Sequence, residues 1–161
     1  MKLYAYLDIE TTGFSPYNNE LTVIGIHLDD GNDEVMQFIG GEICASKLIK
    51  IIKKVNTLYT FNGARFDLPF ISKKLRVDLT EYCQHLDLLD SCRQRNLSGG
   101  LKAVEKKFGI KRKLTTIDGR LAVKLWHNYT LNSCEDSLRT LLAYNKEDVL
   151  NLKRLRQKLK L

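Results

Sequence analysis

The sequence predicts an α/β domain in which α-helices flank a mixed central β-sheet. Residues 2–39 contain three apolar segments of strand length, and a polar turn joins the last two. From residue 45 onward, segments with helical periodicity alternate with short apolar runs, which is typical of parallel strands joined by helices. The chain has 161 residues, the length of one domain, and we therefore assign residues 1–161 to a single domain.

Five strands are predicted, at residues 2–8, 21–28, 34–39, 58–61 and 85–89. The first strand leads into an acidic turn. Residues 29–32, with the sequence Asp-Asp-Gly-Asn, have the composition of a hairpin turn, so the second and third strands should be antiparallel. The fourth strand stops at Asn62-Gly63, which is a turn signal. We expect three antiparallel strands followed by parallel ones.

Helices are predicted at residues 45–55, 66–75, 101–108, 120–129 and from 135 to the C-terminus. The first has apolar side chains on one face and lysines between them. Pro69 falls in the first turn of the second helix, where proline is tolerated. Gly109 should end the third helix, and Ser133 is a candidate N-cap for the last one.

Composition excludes several classes of protein. No apolar run approaches the ~18 residues of a membrane span, and acidic residues follow the first strand too early for a signal peptide. We therefore expect no membrane association and a cytoplasmic location. The net charge of +7 is typical of a partner of polyanions, but also of a lysine-rich soluble surface. The cysteines form no C-x2-C pair, which argues against zinc and favours buried free thiols. They are Cys44, Cys83, Cys92 and Cys134.

Asp8 and Glu10 stand two positions apart at the end of the first predicted strand. Because side chains alternate across a strand, both carboxylates point to one face while Ile9 points to the other. A solvated strand end has the same pattern, so the pair alone does not indicate a site. The apolar residues before it favour a buried central strand, and this makes a functional site more plausible.

Asp67 and Asp148 are further acids that can meet this pair. Asp67 opens the second helix, where the alternative is a helix N-cap. Asp148 lies about 50° from the centre of the apolar stripe of the last helix, and Tyr144 lies about 90° from it. A core-facing aspartate is unfavourable unless it is paired or metal-bound. Asp148 is therefore either a metal ligand or the partner of a nearby lysine or arginine.

Four carboxylates in one cleft repel one another strongly. Two unit charges 4 Å apart cost about 4 kcal/mol at an effective dielectric of 20. Such a cluster persists only if cations neutralise it or some of its members stay protonated. Carboxylate oxygens suit Mg²⁺ or Mn²⁺, and a pair of such ions supports phosphodiester cleavage. We therefore predict a site for two divalent cations, Mg²⁺ or Mn²⁺, formed by Asp8, Glu10, Asp67 and Asp148, with Tyr144 beside them.

Three ordered motifs carry a family resemblance. They are DIETTG at residues 8–13, NGARFD at residues 62–67, and Tyr144-x3-Asp148. In this order they resemble the D-x-E, N-x3-[FY]-D and Y-x3-D motifs of the DEDD, or DnaQ-like, 3′–5′ exonuclease superfamily. Ala143 stands where the histidine subtype has histidine, so the resemblance is to the tyrosine subtype. The wider sequence is similar to the YprB-type branch from residue 1 to about residue 155, and it implies a ribonuclease H-like fold.

The resemblance implies a role for each matching position. Asp8 would bridge both cations, Glu10 and Asp148 would complete the first cation site, and Asp67 would hold the second cation. Tyr144 would orient the attacking water. The terminal nucleotide would be held by Thr11, Thr12, Gly13, Asn62 and Phe66. Asp87 and Asp90 are interpreted as structural acids.

Two basic clusters lie outside these motifs. One comprises Lys106, Lys107, Lys111, Arg112 and Lys113, and the other Lys153, Arg154, Arg156, Lys158 and Lys160. Phosphate contact and an ordinary solvated surface both explain the first cluster, whereas the second is interpreted as a solvated helix end. Tyr17 and Tyr129 can stack on bases, and Trp126 is interpreted as a packed aromatic.

The leading functional hypothesis is a 3′–5′ exonuclease that acts on single-stranded DNA or RNA ends and releases nucleoside 5′-monophosphates. The alternatives are a structure-specific endonuclease of the same fold and a non-catalytic nucleic-acid-binding module. The tyrosine of the third motif favours the exonuclease, and the five occupied catalytic positions argue against a binding module. The sequence does not distinguish DNA from RNA, because that choice depends on contacts to the 2′-hydroxyl.

Overall fold

The computed structural model describes residues 2–161 and so leaves out Met1, the first residue of the predicted domain. Its five-stranded sheet has the order β3-β2-β1-β4-β5. The strands are β1 (Tyr4–Thr11), β2 (Leu21–Leu28), β3 (Val35–Ile39), β4 (Thr57–Thr60) and β5 (Gln84–Asp87). Strands β1, β2 and β3 are antiparallel neighbours, and β4 and β5 run parallel to β1. The predicted mixed sheet is confirmed.

Six helices cover the sheet. They are α1 (Ala45–Ile52), α2 (Asp67–Leu75), α3 (Leu88–Arg93), α4 (Leu101–Lys107), α5 (Gly119–Asn132) and α6 (Glu135–Leu159). Pro69 falls in the first turn of α2, as predicted. Gly109 follows α4 in the left-handed region, with φ of 66°, which is the conformation expected of a glycine that ends a helix.

Strand β1 lies in the middle of the sheet and packs against a different core on each face. Its residues Ala5, Leu7 and Ile9 belong to the core that α1 and α2 cover. Tyr6 belongs instead to a second core with residues of α3, α4 and α6. Since side chains alternate along a strand, Asp8 and Glu10 share the face of Tyr6. The fold therefore directs both acids toward the side of the sheet that α6 covers.

Several element ends differ from the prediction by one to three residues; α5, for example, continues to Asn132 rather than ending at residue 129. Four further differences concern β1, α1, the end of β5 and the start of α6. Strand β1 continues to Thr11, so Asp8 and Glu10 lie inside the strand rather than at its end, paired with Gly25 and Val23 of β2. Helix α1 ends at Ile52 rather than at residue 55. Strand β5 ends at Asp87, whose carboxylate accepts a hydrogen bond from Leu89 N (3.0 Å) and begins the unpredicted helix α3.

The fourth difference is the assignment of Ser133 as an N-cap, which is wrong. Ser133 ends α5 in the left-handed region, with φ of 53°. Cys134 precedes α6, and its side chain makes no capping hydrogen bond. A two-residue connection therefore joins α5 to α6, and the two helices pack on each other and contact β1.

Candidate metal centre and active site

Three of the predicted acids form a cluster between β1 and α6. Asp8, Glu10 and Asp148 each offer a carboxylate oxygen, and these oxygens lie within 4.8 Å of one another. Glu10 and Asp148 are each 7% exposed, and Asp8 is half-buried, so the three acids lie mostly below the surface. Strand β1 supplies two of the acids because positions two apart share a face. Helix α6, which packs on β1 and β2, supplies the third.

Asn145 fixes the orientation of Asp8. Its side-chain amide donates to Asp8 Oδ2 (3.0 Å) and to the Asp8 carbonyl (3.2 Å), while Gln37 Nε2 donates to Asn145 Oδ1 (2.9 Å). The fully buried Asn145 approaches β2 at Gly25, where an added Cβ would stand 2.2 Å from Asn145 Oδ1. Gly25 is therefore the residue that leaves room for this hydrogen-bonded chain.

Asp67 stands apart from the three-acid cluster. It is the first residue of α2, and its Oδ1 accepts a hydrogen bond from Ile9 N (3.2 Å), the residue between Asp8 and Glu10. Phe66, rather than Asp67, occupies the N-cap position of that helix. Asp67 is 4% exposed and is close enough to raise the pKa of both Asp8 and Glu10. It lies beside the cluster without completing it.

Burial controls the charge state of these acids. It raises the pKa of Asp8 and of Glu10 well above the ordinary values, and repulsion from Asp148 adds to the shift of both. It raises the pKa of Asp67 to about 7 and that of Asp148 to about 6. Without a cation, burial and mutual repulsion thus favour the protonated forms of the cluster. This is the electrostatic signature expected of a site that a divalent cation would stabilise.

The sequence left open whether Asp148 pairs with a cationic side chain, and in the structure it does. Arg112 Nη2 donates to Asp148 Oδ1 (2.5 Å), and the same guanidinium donates twice to Glu105 (2.6 and 2.8 Å). Asn151 Nδ2 donates to Glu105 as well (2.9 Å). Glu105 balances the charge of Arg112, so the guanidinium holds one oxygen of Asp148 without neutralising the whole cluster. No sequence motif indicated Arg112 or Glu105 as part of the site.

Tyr144 lies one helical turn before Asp148, and both residues line a cavity that opens over the acid cluster. Lys102 Nζ lies 5.4 Å and the Arg112 guanidinium 5.8 Å from the centroid of the Tyr144 ring. Burial first, and then the charge of Asp148, raises the pKa of the Tyr144 hydroxyl above its ordinary value. The hydroxyl therefore remains protonated near neutral pH and is able to donate a hydrogen bond beside the acids.

A cavity of 460 Å³ opens over the acid cluster. Its aromatic wall consists of Phe14, which is 87% exposed, and Phe66, with ring centroids 6.4 Å apart in an edge-to-face arrangement. Arg120 and Lys124 of α5 line the same cavity. Phe14, Arg120 and Lys124 were not predicted. Phe14 directly follows the first motif, and its position in a polar turn was the available signal.

The predicted substrate residues fall into two groups. Thr11, Thr12, Gly13 and Phe66 line the cavity. The threonine hydroxyls also shape the loop, since Thr11 Oγ1 donates to the Gly13 carbonyl (2.7 Å) and Thr12 Oγ1 accepts from Glu20 N (2.9 Å). Asn62 does not line this cavity. It adopts φ of 62° in the turn after β4, where its backbone N donates to Asp87 (2.7 Å).

The acids interpreted as structural have structural partners. Asp87 accepts hydrogen bonds from Asn62 N, Ala64 N and Leu89 N and so connects the turn after β4 to the start of α3. Asp90 pairs with Arg65 at 2.9 Å. Trp126 packs against the third core, beside α6. All four cysteines are free, but of these only Cys92 is buried, so the prediction of buried thiols holds for that residue alone.

The donor set fits hard divalent cations. Each candidate ligand is a carboxylate oxygen, which suits Mg²⁺ or Mn²⁺ and not the thiolate or imidazole preference of zinc. Several buried carboxylates also need a compensating charge beyond the single Arg112 guanidinium, which Glu105 already shares.

Within residues 2–161, no helix is both long and apolar enough to cross a membrane.

Comparison with known proteins agrees with this architecture. A family model described as RNase_H_2, of the RNase_H superfamily, matches residues 5–160. No curated protein sequence matches the chain. Among solved structures, the chain is similar to a family B DNA polymerase from the hyperthermophilic archaeon Pyrobaculum calidifontis, with a TM-score of 0.72 and 16% identity. That match covers 98% of this chain and 25% of the polymerase.

Two nucleases are also structurally similar. Brucella melitensis NrnC with bound Mg²⁺ gives a TM-score of 0.68 and 23% identity over 98% of this chain and 71% of NrnC. Exonuclease I gives a TM-score of 0.55 and 17% identity over 69% of this chain and 36% of its own length. At these identities the likeness shows the fold. It confirms the predicted ribonuclease H-like fold and agrees with the resemblance to DEDD exonucleases.

Proposed function

The chain belongs to the RNase H superfamily and has its nuclease fold, and from that premise we propose that it is a metal-dependent 3′–5′ exonuclease. Its substrate is the 3′ end of single-stranded nucleic acid, and its products are nucleoside 5′-monophosphates. One observation carries the proposal. Asp8, Glu10 and Asp148 converge within 4.8 Å, on the floor of a cavity that Tyr144 also lines. The cytoplasmic location expected from the sequence is part of the same proposal.

The acids have distinct parts in this function. Asp8, Glu10 and Asp148 would hold one cation, and Asp8 with Asp67 would hold a second. Bound Mg²⁺ or Mn²⁺ supplies charge stabilisation for the phosphodiester and lowers the pKa of a bound water. Asn145 keeps Asp8 in place, and Arg112 holds one oxygen of Asp148. Tyr144 orients the attacking water through its protonated hydroxyl.

The cavity supports a terminal nucleotide as the occupant. Its 460 Å³ volume is within the usual range for a small-ligand site. The exposed ring of Phe14 beside Phe66 offers a surface on which a base can stack without sequence preference. Arg120 and Lys124, which line the same cavity, can contact phosphate oxygens. Brucella melitensis NrnC, one of the similar structures, is also known bound to pGG, which is consistent with a short oligonucleotide as ligand here.

The experiment is hydrolysis of 5′-labelled single-stranded DNA and RNA with Mg²⁺ or Mn²⁺. We expect stepwise shortening from the 3′ end that stops in EDTA and in Asp8→Asn. Asp136→Asn, an equal change at an exposed acid of α6, should leave the rate unchanged. Undiminished hydrolysis in EDTA would overturn the proposal. Tyr144→Phe should retain cation binding but lose most of the rate.

The alternatives have their own outcomes in the same experiment. Cuts within a circular single strand would indicate the structure-specific endonuclease. Binding without hydrolysis under either cation would indicate a non-catalytic module. The matched DNA and RNA substrates determine which sugar is preferred.

A further inference from the structure

Two basic segments that are far apart in the sequence line one depression on the surface. Its volume is 470 Å³, and its cationic residues are Lys111 and Lys113, after α4, and Arg154 and Lys158, on α6. We name this depression the basic groove. Arg154 and Lys158 follow Glu147 by seven and eleven positions, a spacing that places all three on one face of α6. The remaining lining residues are Gly109, Ile110, Glu147 and Gln157.

The cations of the basic groove form no ion pair in the part of the chain that the structure describes, although Arg154 Nη1 donates to Asn151 Oδ1 (2.6 Å). Other cations of the same segments are engaged in ion pairs or aromatic contacts. Lys153 pairs with Asp29 and Asp33, and Arg156 lies 3.9 Å from the ring centroid of Tyr4. Within residues 2–161, none of the four groove cations lies within 4.0 Å of a carboxylate. In the folded protein, some cations of each basic cluster therefore contact other residues of the fold, whereas the four groove cations can bind a ligand.

The only acid of the basic groove is tied to the backbone. Both oxygens of Glu147 accept hydrogen bonds, from Lys113 N (2.6 Å) and Leu114 N (2.9 Å). Glu147 also lies 4.0 Å from Arg112 Nη1. Its charge is therefore partly compensated, and the groove remains strongly positive.

A smaller depression of 280 Å³ connects the basic groove to the acid cluster. Its polar lining residues are Lys102, Lys106, Arg112, Thr115 and Glu105, the last of which is paired with Arg112. It shares Ile110 with the basic groove. It shares Lys102 with a separate cavity of 420 Å³ that Asp8, Tyr144 and Asp148 also line. A ligand with regularly spaced negative charges can therefore follow cationic side chains from the acid cluster to the basic groove.

We propose that the basic groove binds the phosphate backbone of the single strand whose 3′ end lies at the acid cluster. The inference rests on the proposed function, for which it supplies the second contact with the substrate. The groove has no aromatic residue, so it contacts phosphates rather than bases and does not read sequence. On α6, Arg154 and Lys158 lie six and ten residues beyond Asp148, about 9 and 15 Å along the axis. A single strand that keeps the stacked spacing of one duplex strand, roughly 3.4 Å per phosphate, reaches the groove about three to five nucleotides from its end.

The test compares two variants with the same change of charge. In the groove variant, all four cations become glutamine: Lys111→Gln, Lys113→Gln, Arg154→Gln and Lys158→Gln. The control variant replaces three lysines and one arginine that are exposed on or after α1 and α2: Lys50→Gln, Lys53→Gln, Lys54→Gln and Arg76→Gln. Binding of a labelled twelve-nucleotide single strand is measured by fluorescence anisotropy in EDTA at several salt concentrations. Hydrolysis of a dinucleotide is measured with Mg²⁺.

The groove variant should bind the twelve-nucleotide strand roughly tenfold or more weakly. Its salt dependence should flatten by about 0.7 in slope for each phosphate that the protein no longer neutralises. Homopolymers of different bases should be affected equally. The dinucleotide, which does not reach the groove, should be hydrolysed at the wild-type rate. The control variant should retain most of the affinity for the longer strand.

Three results would overturn the inference. One is an equal loss of affinity in the two variants, which is an effect of net charge. Another is a groove variant that binds a duplex more weakly than the wild-type protein but binds the single strand with unchanged affinity. The third is slower dinucleotide hydrolysis in the groove variant. If the wild-type protein hydrolysed neither the dinucleotide nor a longer single strand, the proposed function would fail. The anisotropy comparison would still decide whether the groove binds a strand.

Discussion

At the scale of single residues, the acids were predictable and their supporting partners were not. Spacing on a strand predicted that Asp8 and Glu10 share a face, and helical periodicity predicted that Asp148 faces the core, because both arguments need only local periodicity. The combination of these acids and the family motifs then indicated a site. Asn145 and Arg112 depend on contacts over 137 and 36 positions of sequence, which periodicity does not encode. The structure also gives Asn62 a role that its motif did not indicate, since its positive φ forms the turn after β4; its predicted substrate contact stays a prediction.

The first prediction concerns Asn145. Asn145→Ala removes the amide that holds Asp8 Oδ2, so Asp8 should lose its fixed orientation. We expect a 10- to 100-fold fall in cation affinity or in the rate of hydrolysis, the usual effect of losing a residue that orients a metal ligand. Calorimetric titration with Mn²⁺ measures the affinity.

Asn128→Ala is its matched control, because Asn128 connects α5 to α6 through Ser137 and does not contact the acids. It should lower stability without changing cation affinity. Equal cation affinities in wild-type protein and Asn145→Ala would contradict the assigned role.

The second prediction concerns Gly25. In Gly25→Ala, the new Cβ would stand 2.2 Å from Asn145 Oδ1 and 2.9 Å from Val149 Cγ2. Relieving that overlap requires α6 to move from β2, which should cost roughly 1–3 kcal/mol of unfolding free energy and displace Asp148 as well. Urea denaturation measures the first effect and hydrolysis the second.

Gly41→Ala gives the comparison for Gly25, because nothing lies within 4 Å of its added Cβ and its φ is not positive. That variant should match the wild-type protein in both measurements. A Gly25→Ala protein with the stability and the hydrolysis rate of the wild-type protein would contradict the prediction that the close approach of α6 to β2 requires a glycine at this position.

At the scale of elements, the boundary errors have identifiable causes. The pairing of Asp8 and Glu10 with β2 extends β1 past the acids, and pairing partners are not evident from one strand alone. Helix α3 was missed because its start depends on the Asp87 carboxylate, which also holds the turn after β4. By contrast, β2 was predicted with the bounds it has, since both of its ends are marked by polar turns.

The third prediction concerns the network that connects α4, the segment after it and α6. Glu105→Ala removes the acid that accepts two hydrogen bonds from the buried Arg112 and one from Asn151. Removing one partner of a buried pair leaves the other uncompensated, so we expect a loss of about 3–5 kcal/mol of unfolding free energy. Asp136→Ala breaks an exposed pair with Arg139 and should change stability little. Equal denaturation midpoints for Glu105→Ala and Asp136→Ala would contradict the predicted difference in stability.

At the scale of the whole molecule, the alternation of apolar and amphipathic segments was enough to predict a mixed α/β sheet. It was not enough to predict the strand order, because β4 pairs with β1 across more than 40 positions. The resemblance to a known family supplied the ribonuclease H-like fold, and the family match covers residues 5–160. The strand order itself was not predicted. The basic surface was the least predictable feature, since net charge does not reveal which cations are engaged in ion pairs.

The fourth prediction concerns pH and cation removal. Burial raises the pKa of Asp148 to about 6 and of Asp67 to about 7, from 3.8 in both cases. Between about pH 4 and pH 7 the folded protein therefore binds more protons than the unfolded chain, so the stability of the cation-free protein falls as pH rises through this window. Mg²⁺ binds the ionised acids, so its stabilising effect should grow with pH.

Thermal melts in EDTA and in Mg²⁺, at about pH 5 and about pH 8, measure both effects. In the double variant Asp67→Asn, Asp148→Asn, the dependence on pH should be shallower. An EDTA melting temperature that rises across the same window would contradict the assigned protonation states.

The acid cluster joins the first strand of the sheet to the last helix, with Asp148 following Asp8 by 140 positions. During synthesis the N-terminal part of a chain emerges first, so Asp8 and Glu10 leave the ribosome well before Asp148 does. A partly synthesised chain therefore carries two of the three clustered acids and lacks Tyr144 and Asn145. With the proposed exonuclease function, the growing chain cannot degrade the mRNA from which it is being translated until α6 has emerged and packed on the sheet.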